Sequence, residues 1–162
     1  MSTVEIKTSL GSMTVELSDE ASPITVENFM EYVKDEFYDG TIFHRVIPGF
    51  MAQCGRFNPG MGEKPNRDPI KNEADNGEKN LRGTLAMART SDINSATSQF
   101  FINLKDNDSL DHSTGNFGYA VFGKLTGGLR ILDAIGAVKT GSKGGHGDVP
   151  VDDVLIESIR AI

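Results

Sequence analysis

The sequence predicts a mainly β fold, a closed barrel whose openings are covered by two α-helices. Apolar residues alternate with polar ones in several short runs, the period of half-buried strands. Gly is abundant, at 18 of 162 residues, which favours turns between short strands over long helices. Helical spacing occurs in two stretches, one toward each end of the chain. Many strands with two such helices suggest a barrel closed on itself. A chain of this length buries one sizeable core. It shows no repeat of solenoid period and no low-complexity tract, so residues 1–162 read as a single domain.

The elements follow in order. Val4 and Ile6, then Met13, Val15 and Leu17, alternate on either side of Leu10-Gly11, a β-hairpin with one buried face. Ser22-Pro23 supplies a helix N-cap with Pro at the first helical position. Val26, Phe29, Met30 and Val33 then recur at helical spacing. Residues 41–55 read as two short strands about Pro48-Gly49, and residues 56–80, rich in Gly, Pro, Asn and charge, as a long surface excursion. Residues 84–89 and 98–103 read as strands joined by a polar loop, and Tyr119 to Phe122 as a further buried strand. A second helix covers Leu129 to Ile135 and stops at Gly136. The glycine-rich segment Lys139 to Asp148 reads as a mobile loop, and Val154 and Ile156 begin a closing strand.

Composition removes several function classes. A net charge of -7 repels a phosphate backbone, so no nucleic-acid partner is expected. Cys54 is the single cysteine, which precludes an intrachain disulfide and fits a reducing compartment. The N-terminus alternates like a strand and lacks the apolar core of a signal peptide, and no later run is long enough to span a membrane. A cytoplasmic location is expected.

Some motifs are decoys. Gly118 to Lys124 has the spacing of a phosphate-binding P-loop, but Leu125 stands where its magnesium-binding Ser or Thr belongs. His44, His112 and His146 lie far apart, with no metal-ligand spacing to another His or to Cys. Asp106, Asp108 and Asp111 lack the Gly and terminal Glu of a calcium loop and read as a solvated turn. Neither Gly-x-Ser-x-Gly nor Ser-x-x-Lys occurs, which weakens acyl-transfer chemistry. Neither a metal nor a cofactor is expected.

The informative stretch is Phe43 to Gly55, FHRVIPGFMAQCG. It places a permanent cation, Arg45, among Phe43, Phe50 and Met51, with the amide of Gln53 close by. A guanidinium stays protonated at physiological pH and cannot serve as a base. A site of this kind works by binding and polarising its substrate. Taken alone, Arg45 reads as a half-exposed strand residue in a surface ion pair, and the aromatic residues as core. Several unusual segments occurring together change that balance.

Phe43 to Gly55, Gly83 to Ala88 (GTLAMA), Ser98 to Ile102 (SQFFI) and Val121-Phe122-Gly123 resemble the signature blocks of cyclophilins, the peptidyl-prolyl cis/trans isomerases also called rotamases. The resemblance runs over essentially the whole chain. It is strongest to the short cytosolic bacterial forms, the peptidyl-prolyl isomerase B subgroup, which Pro69 to Ala74 and Ala86 to Thr90 resemble. It implies an eight-stranded antiparallel barrel capped by two helices, with a binding groove on its outer surface. It also implies a monomer acting on X–Pro bonds in peptides and unfolded or flexible protein segments during protein folding. Position by position, Arg45 takes the place of the catalytic arginine, with Phe50 and Gln53 beside it. Phe50, Met51, Phe101, Leu110 and Tyr119 line the proline pocket, and many relatives have His at the last of these. Gln53 and Gln99 supply polar contacts, while Ala88 and Arg89 border the neighbouring subsite and offer backbone groups.

Two features depart from or strain the pattern. Ser109 replaces the bulky family aromatic, often Trp, and the chain has no Trp. That aromatic aids binding of the cyclic peptide cyclosporin, so weak inhibition is expected. A two-residue hairpin at Pro48-Gly49 would pair Ile47 with Phe50 and send Met51 and Gln53 to the face opposite Arg45. Pro-Gly favours a type II turn, which splays strands, so a wider connection is expected. Two other readings share the sequence. One is a non-catalytic proline-peptide binding module or chaperone using the same groove. The other is a barrel carrier of small apolar ligands, which needs a hollow interior that Phe29, Phe100 and Phe122 would fill.

Overall fold

Val4 pairs with Val15 and Ile6 with Met13 across β1 (Thr3–Thr8) and β2 (Gly11–Leu17), so the alternating apolar residues share one buried face. The structure is a computed structural model that describes residues 2–162. Beyond the first hairpin come α1 (Pro23–Lys34), β3 (Phe43–Ile47), β4 (Met51–Cys54), β5 (Thr84–Met87), β6 (Phe100–Asn103) and β7 (Val121–Gly127). They are followed by α2 (Leu129–Gly136), β8 (Thr140–Lys143), β9 (His146–Pro150) and β10 (Ile156–Ala161). Eight strands form one sheet in the order β10-β1-β2-β7-β5-β6-β4-β3, and β8-β9 form a separate pair. Every paired neighbour in the large sheet is antiparallel. Among the described residues no helix is long and apolar enough to cross a membrane.

The sheet curls on itself, yet "closed" overstates it. Its edge strands β3 and β10 form no ladder with each other. One bridge, Ile42 to Leu155, spans the seam, helped by hydrogen bonds from Gly40 N to Ile156 O (2.8 Å) and from Phe43 N to Val154 O (2.9 Å). The interior is filled. Phe29 of α1 packs against Phe100 and Phe122 with ring centroids 5.5 and 5.1 Å away, and all three are fully buried. Leu132 and Ile135 of α2 join the same core. A carrier barrel would need that space empty.

Three local expectations change. Ser22 is the N-cap residue of α1, but its hydroxyl donates to Val121 O (2.7 Å) rather than accepting from the helix. The Glu73 carboxylate does the capping, accepting from Thr25 N (2.7 Å) and Ile24 N (3.3 Å). Residues 56–80 are therefore more than a surface excursion, because Asn72, Glu73 and Ala74 are buried against the helix and its surroundings. Lys139 to Asp148 is a hairpin instead of an irregular loop. Lys143 pairs with His146, and Gly144 and Gly145 take φ of +56° and +81°, the two-residue turn that glycines allow. The strand expected at Tyr119 starts at Val121, which leaves Tyr119 outside the sheet.

Candidate active site

The site begins with a break in alternation. Phe43 belongs to the inner core and Arg45 is exposed, although residues two apart on a regular strand share a face. The register of β3 against β4 shifts between Phe43 and Arg45, so His44 is the extra residue of a bulge that turns Arg45 outward. The connection that follows is wider than two residues. Ile47 pairs with Met51 and Arg45 with Gln53, leaving Pro48, Gly49 and Phe50 between the strands. Phe50 N donates to Ile47 O (3.0 Å) and Gly49 has φ +70°, a type II arrangement followed by one added residue. Arg45, Met51 and Gln53 thereby share the outer face.

The neighbouring strands extend that face. Gln53 pairs with Phe101, Phe101 with Ala86, and Ala86 with Val121. Met51, Ala86, Phe101 and Val121 form a small buried cluster of their own, separate from the core inside the sheet. Ile47, Phe50, Ala88, Leu110 and Tyr119 pack against it.

Above this cluster lies a cleft of 310 Å³. It brings together every residue expected from sequence except Gln99: Arg45, Phe50, Met51, Gln53, Ala88, Arg89, Phe101, Leu110 and Tyr119. Phe101 and Tyr119 meet edge-to-face at 5.7 Å, and Tyr119 N donates to Leu110 O (3.0 Å). The Arg89 guanidinium lies over the Tyr119 ring, 4.7 Å from its centroid, while its Nε donates to Gly118 O (3.1 Å). Gln99 lines an adjoining cleft of 270 Å³ and accepts a hydrogen bond from Gln53 Nε2 (3.0 Å). The Ala88 N–H donates to Gln99 O (3.0 Å), so this amide is engaged within the protein.

The Arg45 guanidinium has no ion pair and no hydrogen bond among the described residues, contrary to the surface-pair reading. It also borders a second cleft, of 580 Å³, with His44, Glu63, His146 and Asp148. His44 is buried, its Nδ1 has no partner, and its ring lies 4.3 Å from that of Phe57. Burial, reinforced by His146 and Arg45, lowers its pKa to about 4, so it is neutral at neutral pH. Arg45 is then the cation of the shared rim. A larger cleft, of 620 Å³, lies between residues 16–21 and 77–81, but no aromatic residue lines it. Size alone does not select a site; the apolar floor beside an unpaired guanidinium does.

Sequence reading missed the polar support. Asn107 Nδ2 donates to Phe50 O (2.9 Å), and Asn103 occupies the outer-face position paired with Met51. The one available signal was Asn103 itself, a polar residue at the end of the apolar run Phe100 to Ile102.

A family model described as "Cyclophilin type peptidyl-prolyl cis-trans isomerase/CLD" matches residues 3–161. The chain belongs to the cyclophilin family. It is 56% identical over 165 residues to peptidyl-prolyl cis-trans isomerase cyp18 of Streptomyces antibioticus, covering 100% of this chain and 99% of that protein. It is 51% identical over 159 residues to peptidyl-prolyl cis-trans isomerase B of Escherichia coli, covering 96% and 97%. A crystal structure of a Cryptosporidium parvum cyclophilin superposes with a TM-score of 0.86 at 28% identity, over 99% of this chain and 97% of that one. The same parasite protein, crystallised in the presence of the dipeptide Ala-Pro, gives 0.84 at 29% identity over 97% and 96%. This cyclophilin is a peptidyl-prolyl cis/trans isomerase. Ser109, where the resemblance leads one to expect an aromatic, is exposed in the short 3-10 turn Asp108–Leu110 beside the cleft.

Proposed function

We propose that this cyclophilin isomerises X–Pro bonds in peptides and flexible protein segments by gripping the proline ring in the 310 Å³ cleft while Arg45 stabilises the twisted amide. The observation that carries the reading is an exposed guanidinium, without a partner among the described residues, beside an apolar, aromatic-floored pocket. Rotation about X–Pro faces a barrier of about 18–20 kcal/mol from amide resonance. In the twisted state the prolyl nitrogen regains a lone pair that the planar amide lacks. An N–H of Arg45 aimed at that nitrogen forms a hydrogen bond only there, and so lowers the barrier rather than merely binding the substrate. Phe50, Met51, Phe101, Leu110 and Tyr119 hold one side of the bond while the other side turns. The apolar surroundings strengthen the Arg45 contact. Gln53, facing Arg45 and tied to Gln99, fixes a polar edge for the peptide chain. A crystal structure of the Cryptosporidium relative determined in the presence of the dipeptide Ala-Pro supports a proline-bearing ligand.

The test is exchange of a short X–Pro peptide with the protein and with Arg45→Ala. The expected result is acceleration by the native chain and a loss of about 10²-fold or more in the variant. Peptide binding without acceleration would leave a binding module, and equal activity in the variant would remove Arg45 from the mechanism.

A further inference from the structure

The outer face carries a polar structure that the isomerase mechanism does not use. Asn80 precedes β5, whereas Asn103 and Asn107 lie at the end of β6 and just after it, and all are essentially inaccessible to solvent. Asn103, at the end of β6, donates through Nδ2 to Asn80 Oδ1 (3.1 Å) and Thr84 Oγ1 (3.0 Å) and accepts from Asn107 Nδ2 (2.8 Å). Buried amides satisfied this fully have few alternative arrangements, because each displacement strands a donor or an acceptor.

The outer ends of the network reach the proline pocket and, beside it, Asp111. Asn107 Nδ2 also donates to Phe50 O (2.9 Å). Asn80 donates through N and Nδ2 to Asp111 Oδ1 (2.6 and 3.1 Å), and its Nδ2 also contacts Leu110 O (3.2 Å) and Tyr119 O (3.4 Å). Asn107 N donates to Asn80 O (2.8 Å), which ties the two arms together. Phe50 sits in the β3–β4 connection, where its O also accepts from Leu104 N (2.9 Å), and Leu110, in a 3-10 turn, and Tyr119, in the lead-in to β7, lie outside the strand ladders. Three pocket walls on two connections, β3–β4 and β6–β7, are thus joined through one buried amide cluster anchored at β6.

We infer that Asn80, Asn103 and Asn107 are positioning residues that set the spacing of the proline pocket. The inference rests on the isomerase reading above. The network leaves Arg45 untouched, so loosening it weakens the grip on ground state and transition state alike, which raises KM and spares kcat.

Asn107→Ala tests this in the full chain with an Ala-Pro tetrapeptide. Thr25→Val is the control: it removes a buried hydroxyl bonded to Glu73 (2.7 Å) far from the pocket. At a temperature where circular dichroism shows all proteins folded, Asn107→Ala is expected to raise KM about tenfold with kcat within about twofold of the native value. Thr25→Val is expected to lower the melting temperature without moving KM. An unchanged KM in folded Asn107→Ala overturns the inference, as does an equal rise in Thr25→Val. If Asn107→Ala does not fold, Asn107→Ser, which keeps one donor, is judged by the same KM criterion. Should the native chain itself fail to accelerate exchange, or Arg45→Ala match it, the isomerase mechanism fails and not the positioning role.

Discussion

Arg45 stands directly opposite Gln53 across β3 and β4, and among the described residues no carboxylate engages its guanidinium. Cross-strand partners are close enough for their side chains to interact strongly. Gln53→Glu therefore places a carboxylate where it ties the guanidinium down. The variant should be as stable as the native chain or slightly more so, and lose about tenfold or more in kcat/KM at low salt. Added salt should restore part of the loss. Native activity in Gln53→Glu would show that a free Arg45 is not what the reaction needs.

His44 gives the fold a pH dependence of its own. Burial first, then His146 and Arg45, lower its pKa from 6.5 to about 4. The unfolded chain takes up this proton before the folded one does. Its contribution to stability is therefore complete above pH 6.5 and is lost as pH falls from there toward 4. The loss approaches roughly 3 kcal/mol. Denaturant titrations of the native chain and of His44→Phe, which keeps a ring against Phe57, should diverge across that window. Parallel curves would mean that His44 titrates alike in both states.

Ser109 sits beside Leu110, a residue that lines the cleft. Ser109→Trp should tighten cyclosporin binding by at least about tenfold, since an aromatic covering a bound apolar group contributes strongly to affinity. Isomerase activity toward a short peptide should change little. Calorimetric titration reads the first effect and peptide exchange the second. Equal cyclosporin affinities would show that this position does not limit the inhibitor.

Much of this architecture was legible because it repeats at short range. The alternation of Val4, Ile6, Met13 and Val15 specified the first hairpin, and Val26, Phe29 and Val33 specified α1. The motifs around Arg45, Phe101 and Tyr119 named residues that the fold does bring together. What escaped was set by long-range partners. Glu73 caps α1 from 48 residues away, which no local capping motif announces. The bulge at His44 that aims Arg45 depends on how β4 pairs, and closure of the barrel depends on whether its edge strands β3 and β10 meet. The Gly144-Gly145 turn was a local signal, hidden by a segment whose composition looks like an open loop.

Phe100 and Phe101 are neighbours in the chain but serve different packing units, one inside the sheet and one outside it. The sheet thus insulates two tasks from each other. Changes among Met51, Ala86, Phe101 and Val121 can alter which ligands are held without repacking the interior. Changes inside can alter heat resistance without redrawing the groove. Substitutions on opposite faces should combine additively, which leaves such a protein free to acquire new preferences and new robustness along separate mutational routes.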